Sequence, residues 1–220
     1  MELNDMIGKV HCADCLEFMK QIPDKSIDLV LTDPPYGIDY NKNDRNRPNE
    51  SHYENIENDN LQLNYSVLIR ELQRISIKLI VFGAESFYKD LPHRGRWICW
   101  DKRLCEKADK MLGSSFELAW VDTDSGYYKT YRVLHGGVVN DDGQGERIHP
   151  TQKPINLFAK IIKDFSKEGN IILDPFVGSG TTAIACERLG RKWIGIEISD
   201  KYCEIARKRI LQEQNQMKLF

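Results

Sequence analysis

An apolar, β-branched run, Ile27-Asp28-Leu29-Val30-Leu31-Thr32, passes without a break into Asp33-Pro34-Pro35-Tyr36. The run reads as a buried strand. The two prolines fix φ, donate no N–H and keep the backbone extended. The chain therefore leaves a sheet stiffly, with a carboxylate and carbonyl acceptors pointing outward beside a flat ring. Such an end is a receptor for a planar group bearing an NH2. It is also, on these residues alone, a Pro-rich turn with Tyr36 capping the core.

The rest of the chain alternates strands and helices. Lys9 to Cys12, Lys78 to Gly83, Arg96 to Trp100 and Phe116 to Val121 read as strands. Leu16 to Gln21 and Glu85 to Leu91 read as short helices, and Tyr127 to Val139 as a hairpin. Apolar residues at 65, 68, 69, 72 and 75 mark a helical face, as do Ile155, Phe158, Ile161, Ile162 and Phe165 after Pro154. Pro154 suits a first helical position, and Ser199 or Asp200 suits the cap of a last helix. This alternation predicts a doubly wound, mostly parallel α/β sheet covered on both faces. The 220 residues, 41% of them hydrophobic, suit one domain with a sizeable core. Residues 37–63 are polar and read as a mobile loop, and residues 102–148 as a small recognition region.

The second half carries another strand end. Ile171-Ile172-Leu173 reaches Asp174-Pro175-Phe176, then Gly178-Ser179-Gly180 turns into a helix from Thr181 to Leu189, closed by Gly190. The strand Trp193 to Ile196 follows and ends at Glu197. This is the nucleotide-binding half of a doubly wound fold, with Glu197 placed to accept both hydroxyl hydrogens of a ribose. Ala183 completes Gly-x-Gly-x-x-Ala, so a nicotinamide oxidoreductase stands as one reading. A carboxylate at Asp174 would repel a pyrophosphate and suits a ligand with an ammonium group, such as the methionine end of S-adenosylmethionine. With both constellations on one sheet edge, the arrangement fits methyl transfer to an exocyclic amine.

Taken in order, Asp33-Pro34-Pro35-Tyr36, His149-Pro150-Thr151-Gln152-Lys153-Pro154 and Asp174-Pro175-Phe176-Val177-Gly178-Ser179-Gly180-Thr181-Thr182 resemble the amino-group DNA methyltransferases of the β arrangement. Ala13-Asp14-Cys15-Leu16 matches as well, with weaker likeness at Phe82-Gly83 and Trp100-Asp101-Lys102. The resemblance implies the Rossmann-like fold of S-adenosylmethionine-dependent methyltransferases with circularly permuted motif order. It implies N6 transfer to adenine in a base flipped out of double-stranded DNA, with cytosine-N4 transfer and an RNA substrate as variants. It gives Asp33 and the Pro34 carbonyl to the target amino group, Tyr36 to stacking on the base and Pro35 to the wall. Asp14, Cys15 and Leu16 fall at the cofactor adenine, Thr151 and Lys153 at its carboxylate. Asp174, Phe176, Gly178, Gly180 and Thr181 form the floor, Glu197 takes the ribose and Ile198 lies against the adenine. No metal is implied.

Net charge is −2, so a nucleic-acid site must be a local basic patch. Lys42, Arg45 and Arg47 in the polar loop, with Lys129 and Arg132 among tyrosines, are the candidates for DNA contact. Six scattered cysteines and a start without a basic, apolar leader predict reduced thiols in the cytoplasm of a bacterium or phage-infected cell, and no run is long enough to span a membrane. The Cys12–Cys15 spacing has no second pair to make a zinc site. A homodimer remains an open expectation, since family members often pair and many carry a longer recognition region. A non-catalytic DNA-binding protein is the third reading, and the intact Asp33 to Tyr36 argues against it.

Overall fold

The structure, a computed structural model, describes residues 2–35, 63–103, 114–124, 129–136, 139–140 and 152–217. Strands β1 (Lys9–Cys12), β2 (Ile27–Thr32), β3 (Ser76–Phe82), β4 (Arg96–Asp101), β5 (Phe116–Val121), β6 (Lys129–Arg132), β9 (Ile171–Asp174) and β10 (Lys192–Glu197) form one sheet. Between β6 and β9 in sequence, β7 (His135–Gly136) and β8 (Val139–Asn140) pair only with each other. The order in the main sheet is β1-β10-β9-β2-β3-β5-β4-β6. Among these strands β5 alone runs antiparallel to its neighbours.

Period-2 alternation sends Leu29, Leu31, Ile80 and Phe82 to one face, and Val30, Leu79 and Val81 to the other. The first face packs on α4 (Ile155–Phe165), α5 (Thr181–Leu189) and α6 (Asp200–Met217). The second packs on α1 (Leu3–Met6), α2 (Cys15–Met19) and α3 (Tyr65–Ile75). Two helices show a local reason for their limits. Asn64 caps α3 by accepting from Val67 N at 3.1 Å, and its face at 68, 69, 72 and 75 is fully buried or nearly so. Gly190 ends α5 in the left-handed region, φ +64°, which a side chain would disfavour.

Several expected boundaries move. β3 starts at Ser76, directly from the end of α3, rather than at Lys78. Pro154 precedes the first turn of α4 at the cap position, one residue earlier than expected. The segment Ala84–Asp90 is a 3-10 helix. Of the hairpin expected from Tyr127 to Val139, the described residues show an antiparallel pair between β7 and β8, His135 opposite Asn140, whereas β6 pairs parallel with β4, Ile98 opposite Lys129 and Asp101 opposite Arg132, as the last strand of the main sheet. The alternation that marks a strand carries no information on which neighbour it will find.

What positions the site is the reversal between β9 and β2. From β9 the chain winds through α5 to β10, and from β2 it winds through α3 to β3 in the opposite direction and on the opposite face. β9 and β2 lie side by side, Val30 opposite Leu173. Ligands of open α/β sheets bind at the carboxyl ends of strands at such a reversal.

Candidate active site

Asp33 leaves the end of β2 at this switch point. Its carboxylate Oδ2 is ion-paired with the Lys153 ammonium. Its other oxygen, Oδ1, is buried and has no hydrogen-bond partner among the described residues. Burial raises the Asp33 carboxyl above its ordinary range, and Lys153 pulls it back only in part. Pro34 is buried and Pro35 exposed. Tyr65, the first residue of α3, donates its hydroxyl to the Pro35 carbonyl at 2.6 Å and so fixes the exit path of the diproline. Tyr36 lies outside the described residues, as do Lys42, Arg45, Arg47 and Thr151.

The second strand end is built around Asp174, which is 4% exposed. Its oxygens accept from Thr32 Oγ1 at 2.9 Å, Phe176 N at 3.1 Å and Thr182 Oγ1 at 2.5 Å. Burial pushes its carboxyl up to about 6, against the pull of those three donors. Asp174 thus holds the turn and α5 to β2, and its contacts are with the protein rather than with open space.

The turn itself needs glycine twice. Gly178 has φ +51° and Gly180 φ +92°, and it is this backbone conformation that calls for glycine, since a Cβ at Gly180 would meet Ala206 of α6 only in ordinary contact at 3.4 Å. Arg209, buried in α6, donates to Ser179 O at 2.5 Å and to Ser179 Oγ at 2.7 Å, which braces the turn from below. Thr181 Oγ1 donates to the Lys153 carbonyl at 3.4 Å. The side chain of Lys153 therefore reaches Asp33 while its backbone touches the start of α5. The resemblance places this side chain at a cofactor carboxylate; in the structure it faces Asp33 and Glu117.

Glu197 ends β10 next to the turn. Its Oε2 accepts from Gly178 N at 3.0 Å and its Oε1 from Ser199 N at 2.9 Å. Two backbone amides hold the carboxylate in one orientation and leave each oxygen with acceptor capacity. Burial raises its pKa, and the amides oppose the rise. Ile198 follows and is 45% exposed, an apolar surface beside the carboxylate. On the far side, Asp14 caps α2 by accepting from Glu17 N at 2.9 Å, with Cys15 buried behind it and Leu16 partly buried. Cys12 pairs with Glu197 in register, so Asp14 follows β1 at the same sheet edge.

Phe176, Gly178, Gly180, Thr181, Asp174, Glu197, Ile198, Asp14, Cys15 and Leu16 thus share the edge that carries Asp33. Lys129 does not join them: its ammonium pairs with Asp164 of α4, to which Tyr131 also donates at 2.7 Å, so it braces β6 against α4. Arg132 is exposed, with Asp101 Oδ2 3.5 Å away. Sequence reading missed Glu117 and gave no role to Lys102, whose ion pair with Glu117 at 2.5 Å sits beside Lys153. The local signal for Glu117 is a charged residue at the start of an otherwise apolar strand.

The family model described as DNA methylase, of the N6 and N4 type, matches residues 101–208. The type II methyltransferase M.HpaI of Haemophilus parainfluenzae is 30% identical over 242 residues, covering 96% of this chain and 76% of that protein. Among solved structures, the M1.HpyAVI–SAM complex is similar with a TM-score of 0.56 at 22% identity, over 91% of this chain and 98% of that one. The cytosine-N4-specific PvuII DNA methyltransferase is similar with a TM-score of 0.61 at 16% identity, over 96% of this chain and 95% of that one.

Proposed function

The chain belongs to the amino-group DNA methyltransferases, the N6 and N4 DNA methylases, and from that premise we propose that it moves the methyl group of S-adenosylmethionine to the exocyclic N6 of adenine in a base flipped out of duplex DNA. The observation that carries this reading is Asp33 Oδ1, a buried acceptor with no donor among the described residues, at the switch point of the sheet. A buried polar atom left unpaired costs roughly 1–3 kcal/mol, and a substrate N–H removes that cost on arrival.

The cofactor site fits S-adenosylmethionine on the residues present. Glu197 is fixed by two amides with acceptor capacity to spare for a ribose diol, Gly178 and Gly180 let the backbone come close, and Ile198 offers an apolar surface to a purine. Asp14 is proposed for the adenine amino group, and Thr151 for the cofactor carboxylate. When bound, the sulfonium supplies an activated methyl group that needs no metal.

The protein's part is position and electrostatics. Asp33 Oδ1 accepts one hydrogen of the target amine and the Pro34 carbonyl accepts the other, which draws the nitrogen lone pair out of conjugation with the ring. Tyr36 stacks on the flipped base and offsets part of the few kcal/mol that unstacking costs. Lys42, Arg45, Arg47 and Arg132 are proposed for the DNA backbone. Residues 37–63 are proposed as a closing loop and residues 102–148 as the recognition region.

The test is incubation with labelled S-adenosylmethionine and unmethylated genomic DNA, followed by nucleoside mass spectrometry. N6-methyladenine is the expected product. N4-methylcytosine would keep the mechanism and change the base, and DNA without label would overturn the reading.

A further inference from the structure

Four charged side chains alternate in sign along one line of the site: Asp33, Lys153, Glu117 and Lys102. The Lys153 ammonium pairs with Asp33 Oδ2 and lies 3.3 Å from Glu117 Oε2, while Glu117 Oε1 takes Lys102 at 2.5 Å. They come from the end of β2, the segment before α4, the start of β5 and the residue after β4. Because β5 runs against its neighbours, its first residues reach the edge where β2 and β4 end. Each lysine also lies over a ring, Lys153 over Phe82 at 5.6 Å and Lys102 over Trp100 at 5.0 Å.

Burial makes these pairs consequential. The side chains of Lys153, Lys102 and Glu117 are 7%, 14% and 28% exposed, so solvent does little to screen them. Burial raises the Glu117 carboxyl, yet Lys153 and Lys102 together bring it below its usual range, so it is an anion in place. An ammonium has three donors and no acceptor. Facing Asp33 alone, it would settle across both carboxylate oxygens. Facing two carboxylates, it divides its donors between them and engages one oxygen of each, which is what the structure has: Asp33 Oδ2 is taken and Oδ1 has no partner among the described residues.

We propose that Glu117 is a positioning residue for methyl transfer: it holds Lys153 on Asp33 Oδ2 and so keeps Asp33 Oδ1 for the target amino group. The inference rests on the functional reading above. Glu117 touches neither substrate nor cofactor in this role and acts through Lys153.

The experiment compares the full chain with Glu117→Gln and Glu117→Asp, using S-adenosylmethionine and the DNA substrate found by the nucleoside assay. Thermal melting monitors folding. Glu117→Gln keeps the shape and loses the charge; its kcat is expected to fall about tenfold, with KM for DNA and the cofactor Kd within about twofold of the parent. Glu117→Asp keeps the charge and is expected within about threefold of the parent kcat. A Gln variant as fast as the parent overturns the inference while the functional reading stands. So do equal losses in both variants, which would mean shape rather than charge, or a loss confined to KM or Kd. An unsubstituted chain that labels no DNA overturns the functional reading and this inference together.

Discussion

Thr32 Oγ1 donates to Asp174 Oδ1 at 2.9 Å, and this bond ties the strand end that carries Asp33 to the strand end that carries the Gly-rich turn. Both side chains are buried. Thr32→Val keeps the volume and removes the donor, leaving Asp174 with Phe176 N and Thr182 Oγ1. The expected loss is about 1–2 kcal/mol of unfolding free energy at pH 7, read by urea denaturation. A loss under about 0.5 kcal/mol would show that the bond is incidental to the packing of β2 against β9.

Asp33→Ala removes the acceptor while leaving the Gly-rich turn, Glu197 and Asp14 in place. Transfer is expected to fall by at least about a thousandfold in a single-turnover assay, with the cofactor Kd from calorimetry within about threefold of the parent. Residual transfer within about tenfold of the parent would sink the acceptor role.

Glu197→Ala strips the partner from Gly178 N and Ser199 N as well as the acceptor for a ribose diol. Cofactor affinity is expected to drop by about tenfold or more, the equivalent of roughly 1.4 kcal/mol or more. An unchanged Kd by calorimetry would count against the ribose assignment.

Asp174 gives the chain a pH signature. Its folded-state carboxyl is raised to about 6 from an ordinary 3.8, chiefly by burial. The folded state therefore holds the proton more firmly than the unfolded chain. The corresponding stability is fully present below the unfolded value and is lost as pH rises through about 6. Asp174→Asn carries no such charge. Relative to this variant, the parent should lose about 2 kcal/mol between pH 4 and pH 7.5 by chemical denaturation, at 1.36 kcal/mol per unit. A difference that does not change with pH would refute the assignment.

Much of the scaffold was legible because its signals are local. β1 runs from Lys9 to Cys12 as the sequence predicts, α3 buries its expected 68, 69, 72 and 75 face, and Gly190 closes α5 at a positive φ, its N–H donating to the last carbonyls of the helix. The candidate site was legible in its parts for the same reason: a strand ending on Asp-Pro-Pro or on Asp-Pro-Phe-x-Gly-x-Gly announces an acceptor and a tight turn. What failed was partnership. Within the stretch from Tyr127 to Val139, read as a hairpin, only β7 and β8 pair antiparallel among the described residues and β6 pairs parallel with β4, since period-2 alternation names a face and not a neighbour. The pairing of Lys129 with Asp164, 35 residues away, was likewise invisible along the chain.

By itself, then, the sequence determined the doubly wound class, the carboxylates at strand ends, the glycines of the turn and the family they resemble. Each of these is written within a few residues, where backbone sterics, capping and side-chain periodicity act. Only the tertiary structure decided that Lys153 stands between Asp33, 120 residues before it, and Glu117, and that Asp33 keeps one oxygen bare. That arrangement depends on β5 running against the other strands and bringing Glu117 to the shared edge. Charges buried there act through space, and their energies follow the distance and burial that folding sets rather than their separation along the chain.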